Sequence, residues 1–233
     1  MRALDYRLET FDEEKEWIYR LTGFLCSFLA WGFCLTVTTS KFWRLWKFEN
    51  PAVQLVYFGL WEAYYYQLAN VSGSLTKSRM YSPINSSWVI PIEMEYSQGL
   101  MLMANFMMLV VLIFSSVAIM VSWIDAPFPE YMELCYNASI LFLVLSNICV
   151  MIAVSWNEIM ESYGQSSFDF PPYFPVKRDA LLKKYSTHVF PGGILVCTLS
   201  TFAIIMYRCE IKVMKSQWIK VPMYPKLFAP QKE

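Results

Sequence analysis

Four stretches of the chain run without any Asp, Glu, Lys or Arg: Leu21 to Ser40, Tyr96 to Ile124, Leu134 to Asn157 and Tyr185 to Tyr207. A helix needs about 20 mostly apolar residues to cross a bilayer, and each stretch reaches that length. The pattern predicts an all-α transmembrane four-helix bundle in a single domain covering residues 1–233. Its spans lie at about 21–40, 99–124, 134–157 and 187–207. Between them fall a loop of about 41–98, a short turn, and a second loop of about 158–186, with tails at 1–20 and 208–233. The turn carries Asp125, Pro127 and Pro129, residues that suit a tight non-helical connection, so spans two and three are expected as antiparallel neighbours.

The first loop has a different pattern. Phe42, Trp43, Trp46, Phe48, Val53, Val56, Tyr57, Phe58, Trp61, Tyr64, Tyr65 and Tyr66 crowd its first half, and aromatic and β-branched residues favour strands. Asn50-Pro51 reads as a turn, with further breaks at Ser72-Gly73-Ser74 and near Pro83. A small antiparallel sheet of three or four strands standing on the bundle is therefore expected. Trp43 and Trp46 also fit an interfacial aromatic belt, whereas Trp61, in mid-loop, does not. The second loop contains Phe168-Asp169-Phe170-Pro171-Pro172-Tyr173-Phe174-Pro175. Its three prolines exclude a regular helix or a central strand. The segment either stands exposed for a partner or packs on the sheet of the first loop.

Composition agrees with a membrane protein: 56% of the 233 residues are hydrophobic and only 16% are charged. Formal net charge is zero, which gives no electrostatic reason to bind nucleic acid and leaves the lipid bilayer as the implied partner. The residues before the first span are acidic (Asp5, Glu9, Asp12, Glu13, Glu14, Glu16), unlike the basic start of a signal peptide, so that span is expected to be retained. Lys and Arg divide almost evenly between the two sides and do not orient the bundle, although Arg208, Lys212 and Lys215 next to the last span favour an internal C-terminus. The sequons Asn70-Val71-Ser72 and Asn85-Ser86-Ser87 suit an external first loop, while Asn137-Ala138-Ser139, inside a span, is expected to stay unused. Both tails are thus expected in the cytoplasm and both larger loops outside.

Little in the chain points to catalysis. The single histidine, His188, has no carboxylate near it in sequence, and acid–base or nucleophilic work needs partners within reach. Of the cysteines, Cys26, Cys34, Cys135, Cys149 and Cys197 fall in spans and read as packing residues. Cys209, beyond the last span, is a candidate for S-acylation. Cys135 and Cys149 are four helical turns apart and cannot share a metal. Pro191-Gly192-Gly193 reads as a helix start with close helix approach. Asn105, Ser146 and Asn147, uncharged and inside spans, suit hydrogen bonds between helices. Neither enzyme activity nor a cofactor or bound metal is expected.

Three segments resemble the claudin family. Ile90-Pro91-Ile92-Glu93-Met94-Glu95-Tyr96-Ser97-Gln98-Gly99-Leu100-Met101 is similar to the stretch by which claudins begin their second helix. Gly59-Leu60-Trp61 resembles the Gly-Leu-Trp of their first-loop signature, and Trp43-Arg44-Leu45 the Trp-Arg-Val that opens that loop. The succession of long loop, short turn and medium loop also matches. The resemblance implies a plasma-membrane protein of tight junctions that associates with itself or with other claudins, in the same and in opposing membranes, to form adhesive and barrier contacts. It assigns structural roles to Trp43, Arg44, Gly59, Leu60, Trp61, Pro91 and Glu93, and Trp61 is expected to be buried. The family's loop cysteine is Tyr64 here, and its partner is missing. The sheet is then expected to hold by aromatic packing and bundle contacts instead of a disulfide. Gln98 stands where the family usually has Arg. The sequence closes on Ala229-Pro230-Gln231-Lys232-Glu233 without the apolar last residue that a carboxylate-capturing scaffold domain takes, so scaffold binding is not expected. A role as auxiliary subunit of a channel or receptor is the alternative.

Overall fold

The structure, a computed structural model, describes residues 2–71, 74–124, 128–164 and 168–220. Four long helices form a bundle: α1 (Arg2–Thr38), α2 (Ile92–Trp123), α3 (Pro129–Ser162) and α4 (Val189–Lys220). Each contains a segment long and apolar enough to cross a membrane: Trp17–Thr38, Ile92–Trp123, Pro129–Ser162 and Val189–Ser216. At 1.5 Å per residue, α2 and α3 are about 50 Å long, against about 30 Å for a hydrocarbon layer. The surplus explains why the helices outrun the charge-free stretches. Their ends stand where charges are tolerated, and α2 begins with Glu93 and Glu95 in its first turn, where the helix dipole favours carboxylates.

Within the expected N-terminal tail of residues 1–20, α1 is already helical from Arg2 and runs on into the first span. The expected start of the fourth helix needs correcting. Tyr185 belongs to a strand and α4 begins at Val189, which leaves His188 exposed just ahead of it. Of the expected turn, Asp125 and Pro127 lie outside the described residues, and Pro129 occupies the first turn of α3, a position where its missing N–H costs nothing.

The first loop folds as four strands: β1 (Arg44–Phe48), β2 (Leu55–Phe58), β3 (Glu62–Val71) and β4 (Ser74–Pro83). The expected breaks after Phe48 and near Pro83 fall at strand ends; Ser72 and Gly73 lie outside the described residues. A fifth strand, β5 (Leu181–Tyr185), comes from the second loop and pairs antiparallel with β1. The sheet order is β4-β3-β2-β1-β5, so a sheet read as the product of one loop is in fact built from two. Two leucines followed by two lysines in Leu181-Leu182-Lys183-Lys184-Tyr185 lack the period-two alternation of a strand and give a weak signal. Its pairing with β1 is what fixes it.

Period-two alternation gives this sheet two faces. The inner face carries Trp46, Phe48, Val56, Phe58, Ala63 and Tyr65, all buried. The proline-rich segment closes over them. Phe168 and Phe174 are buried, Phe168 sits edge-on to Phe58 at 5.0 Å, and Phe170 stacks on Phe58 at 5.7 Å. Trp88 completes the cluster. Of the two readings of this segment, packing on the first-loop sheet is the one observed: among its rings Tyr173 alone is left well exposed, beside the exposed Asp169 and Pro172. Trp43 and Trp46 are 1% exposed and so belong to this core, not to an interfacial belt.

Candidate functional site

The sheet meets the bundle through a buried polar clasp. Arg44 opens β1 on the inner face, where its neighbours at two-residue spacing are aromatic, yet it is fully buried. Its Nη2 lies 2.8 Å from Glu93 Oε1 in the first turn of α2. Nε and Nη2 donate to Asn157 Oδ1 at 3.2 and 3.0 Å, and Nε lies 3.6 Å from Glu161 Oε2. Asn157 and Glu161 are four residues apart near the end of α3, hence on one face. Trp46 Nε1 donates to Glu161 Oε1, and Lys184 on β5 pairs with Glu161 Oε2 at 3.7 Å. Two cations therefore answer two carboxylates across β1, β5, α2 and α3. Buried charge is tolerable only when paired and hydrogen-bonded in this way.

The residues singled out by the resemblance converge on this joint. Trp43 donates its indole N–H to the carbonyl of Val37, the last-but-one residue of α1. A Cβ on Gly59 would lie 2.8 Å from the carbonyl oxygen of Ser40, so only glycine allows β2 to turn past the end of α1. Leu60 is fully buried, and its carbonyl accepts from Gln98 Nε2 on α2. Gln98 thereby ties the Gly-Leu-Trp segment to the helix-two segment. Pro91 is the N-cap of α2 and Glu93 holds Arg44. Trp61 departs from expectation: it is 40% exposed, and its indole N–H donates to the Thr38 carbonyl at 3.2 Å. The buried indoles are Trp43, Trp46 and Trp88. Asn157, Glu161 and Lys184 were missed by sequence reading. The signal was the i, i+4 pair Asn157/Glu161 at the close of the third apolar stretch, with Arg44 as the odd residue in an aromatic strand.

The outer face of the sheet is made of different chemistry. Tyr57, Tyr64 and Tyr81 are neighbours across three strands, Tyr57 opposite Tyr64 and Tyr64 opposite Tyr81, with ring centroids 5.4 Å apart at each step. Tyr66 extends the group. Cations lie over the rings: Lys41 4.4 Å from Tyr81, Lys77 4.7 Å from Tyr66, and Arg79 5.2 Å from Tyr64. Arg79 also donates to the Tyr81 and Tyr66 hydroxyls. Tyr64, where the resemblance would place a cysteine, is thus the centre of a ring cluster. Burial raises its phenol pKa, while hydrogen bonds from Tyr64 and Arg79 lower that of Tyr66. All six cysteines are unpaired.

The far end of the bundle has a second polar knot. Arg20 on α1 pairs with Glu210 on α4 and donates to Ser122 on α2, beside Tyr136 stacked on Tyr207. Inside the bundle, Asn105 bridges α2 to α1 through Thr38 Oγ1 at 2.7 Å, as expected for interhelical hydrogen bonding. Ser146 instead bonds within its own helix, and for Asn147 only the carbonyl accepts from another helix, from Cys197. A Cβ on Gly193 would lie 2.7 Å from Val154, which fits the expected close approach of α4 to α3. Cys209 is half-buried within α4, which runs on to Lys220, and so does not mark a helix end. Asn85 follows β4 on the exposed surface and caps its own turn through Ser87. The backbone of Asn70 lies in β3, and its side chain lies outside the described residues. Asn137 is a helical position on α3. Among the described residues no group of His, Cys, Asp and Glu could hold a metal ion.

No protein-family model matches the chain, and no curated protein matches it.

Proposed function

We propose that the chain is a claudin-like, multi-pass plasma-membrane protein of cell–cell junctions, oriented with its sheet outside the cell and both termini in the cytoplasm. It contributes to adhesion and the paracellular barrier by associating with itself or with claudins through its outer loops. The observation that carries the reading is the convergence of Trp43, Arg44, Gly59, Leu60, Pro91 and Glu93, which are scattered over fifty residues of sequence, on one joint between sheet and bundle. That joint makes the two outer loops one rigid platform, as a protein that works by contact requires. A platform of this kind loses little freedom on binding.

Expression of the tagged chain in cells that lack junction strands tests the reading. Strands in freeze-fracture replicas, with enrichment at contacts between two expressing cells, support it. A diffuse surface signal without strands overturns it. Orientation has its own check. Glycosidase treatment shortens the wild type but not Asn70→Gln/Asn85→Gln if the sheet is external, and Asn137→Gln has no effect.

One observation favours a second reading, an auxiliary subunit of a channel or receptor. Both edge strands of the sheet carry cations, Lys77 and Arg79 on β4 and Lys183 on β5. Like charges facing each other across strands oppose pairing, so copies are poor edge-to-edge partners. Copurification of one stoichiometric channel without self-association selects this reading.

A further inference from the structure

We infer that the free edge of β4 takes an acidic, extended segment of a different protein as a sixth strand of the sheet. The inference rests on the reading of the sheet as a contact platform, and it separates the partner edge from the surface used for self-association.

The first support is the direction of the backbone groups. Ile84 N donates to the Trp61 carbonyl, which fixes the alternation along the β3–β4 ladder. In an antiparallel pair, hydrogen-bonded and non-hydrogen-bonded positions alternate. Ser78, Met80 and Ser82 therefore turn their N–H and C=O toward β3, and Lys77, Arg79 and Tyr81 turn theirs outward. Among the described residues β4 is the end of the sheet, so these three residues present unpaired donors and acceptors at the spacing an added strand requires.

The second support is charge. The side chains of Lys77 and Arg79 stand on the outer face beside that edge, and no ion pair with a carboxylate is formed by either among the described residues. The only carboxylate on that face of β3, Glu62, is held by Lys41 at 2.7 Å. Exposed lysines on an edge are a common guard against unwanted strand pairing. Here the guard is selective. A second copy of β4, paired so that all three outward positions are used, sets Arg79 against Arg79. A strand with carboxylates at two positions two residues apart sets them against Lys77 and Arg79 instead, and an apolar residue against Tyr81. The inner face adds Met80, 41% exposed, as a contact for an apolar residue between. A glycan polyanion could answer the cations but not the row of backbone groups, and that row favours a peptide.

The probe is the capped peptide Val-Leu-Glu-Thr-Glu-Thr, titrated by fluorescence anisotropy onto the full chain in nanodiscs. Two opposite-charge pairs should make it bind about two- to thirtyfold tighter than the version with Gln for both Glu. N-methylation of the backbone amides on its bonding edge should abolish binding. Lys77→Glu/Arg79→Glu should lose the acidic peptide and gain the version with Lys for both Glu. Equal binding of the Gln version, or indifference to N-methylation, overturns the inference, and displacement by a heparin oligosaccharide combined with such indifference assigns the patch to glycans. The platform reading fails separately: if wild type and Lys77→Glu/Arg79→Glu both lack contact enrichment in cells while the peptide still binds, the edge stands and the junction reading falls.

Discussion

The two faces of the sheet are both aromatic, yet they are built from different rings. The inner face is mainly indole and phenyl, Trp46, Phe48 and Phe58 with the phenol of Tyr65 beside them, roofed by Phe168, Phe170 and Phe174. The outer face uses phenols, Tyr57, Tyr64, Tyr66 and Tyr81, with ammonium and guanidinium groups over them. A phenyl ring gains only by leaving water. A phenol keeps one end wet and can meet a new partner with its hydroxyl. Strand alternation thus separates the work. One face holds the sheet to the bundle and the other is turned away from it, so substitutions on the two faces should separate as well, inner ones reducing stability and outer ones altering the contacts proposed for that face.

Trp46→Ala should produce the largest loss. It opens a cavity in the ring cluster, at about 3–5 kcal/mol for a buried tryptophan, and it strips Glu161 of its indole donor, adding about 1–3 kcal/mol for the buried acceptor. Thermal unfolding in detergent should show a large drop in Tm, and surface delivery should fail. Retention of near wild-type stability would mean that the inner face is not the anchor. Arg44→Ala comes next, at about 3–5 kcal/mol, because it leaves Glu93 and Glu161 short of a buried counter-charge. Arg44→Lys should recover only part of this, since an ammonium cannot serve Glu93 and Asn157 with one planar fork. Full recovery by lysine would show that charge alone matters at the joint.

These two residues also show what could be read from sequence. The bundle was legible because length and the absence of charge suffice to place a spanning helix, and the strands of the first loop were legible from aromatic density and turn residues. β5 was not. Its five residues carry two lysines, and their conformation is set by pairing with β1, a partner more than 130 positions away. The clasp was half legible. Arg44 and Glu93 were marked by resemblance, but Asn157, Glu161 and Lys184 become partners only when three elements meet, which no local pattern encodes. Trp61 failed for a related reason: its place in a motif says nothing about which side of the joint it faces.

Trp61→Ala refines the boundary between the two faces. With 40% of the residue exposed, the loss should be about 2 kcal/mol, made of partial burial and one hydrogen bond to the Thr38 carbonyl. That is well below the figure for Trp46. Equal losses at the two positions would place Trp61 within the core after all.

The smallest effect, of opposite sign, concerns the outer face. Tyr64 lies directly opposite Tyr81, and the same alternation that turns Tyr81 outward makes this a non-hydrogen-bonded pair, with Cα atoms about 4.5 Å apart. That spacing is within the range a disulfide spans. Tyr64→Cys/Tyr81→Cys should therefore oxidise readily, without movement of the strands. The cross-link closes a loop of about 17 residues and should contribute about 3 kcal/mol. Removing two stacked phenols and the Lys41 contact should cost about 2 kcal/mol, so the oxidised variant is expected to be about 1 kcal/mol more stable than the wild type and the reduced one less stable. A Tm that rises on oxidation and falls below wild type on reduction would show that the tyrosine ladder does the holding that a disulfide can do. It would also leave the outer face poorer in phenols, and binding of the acidic peptide should then weaken by the lost Tyr81 contact but persist, because Lys77, Arg79 and the β4 backbone remain. If oxidation abolishes peptide binding instead, the phenols and not the two cations carry the contact.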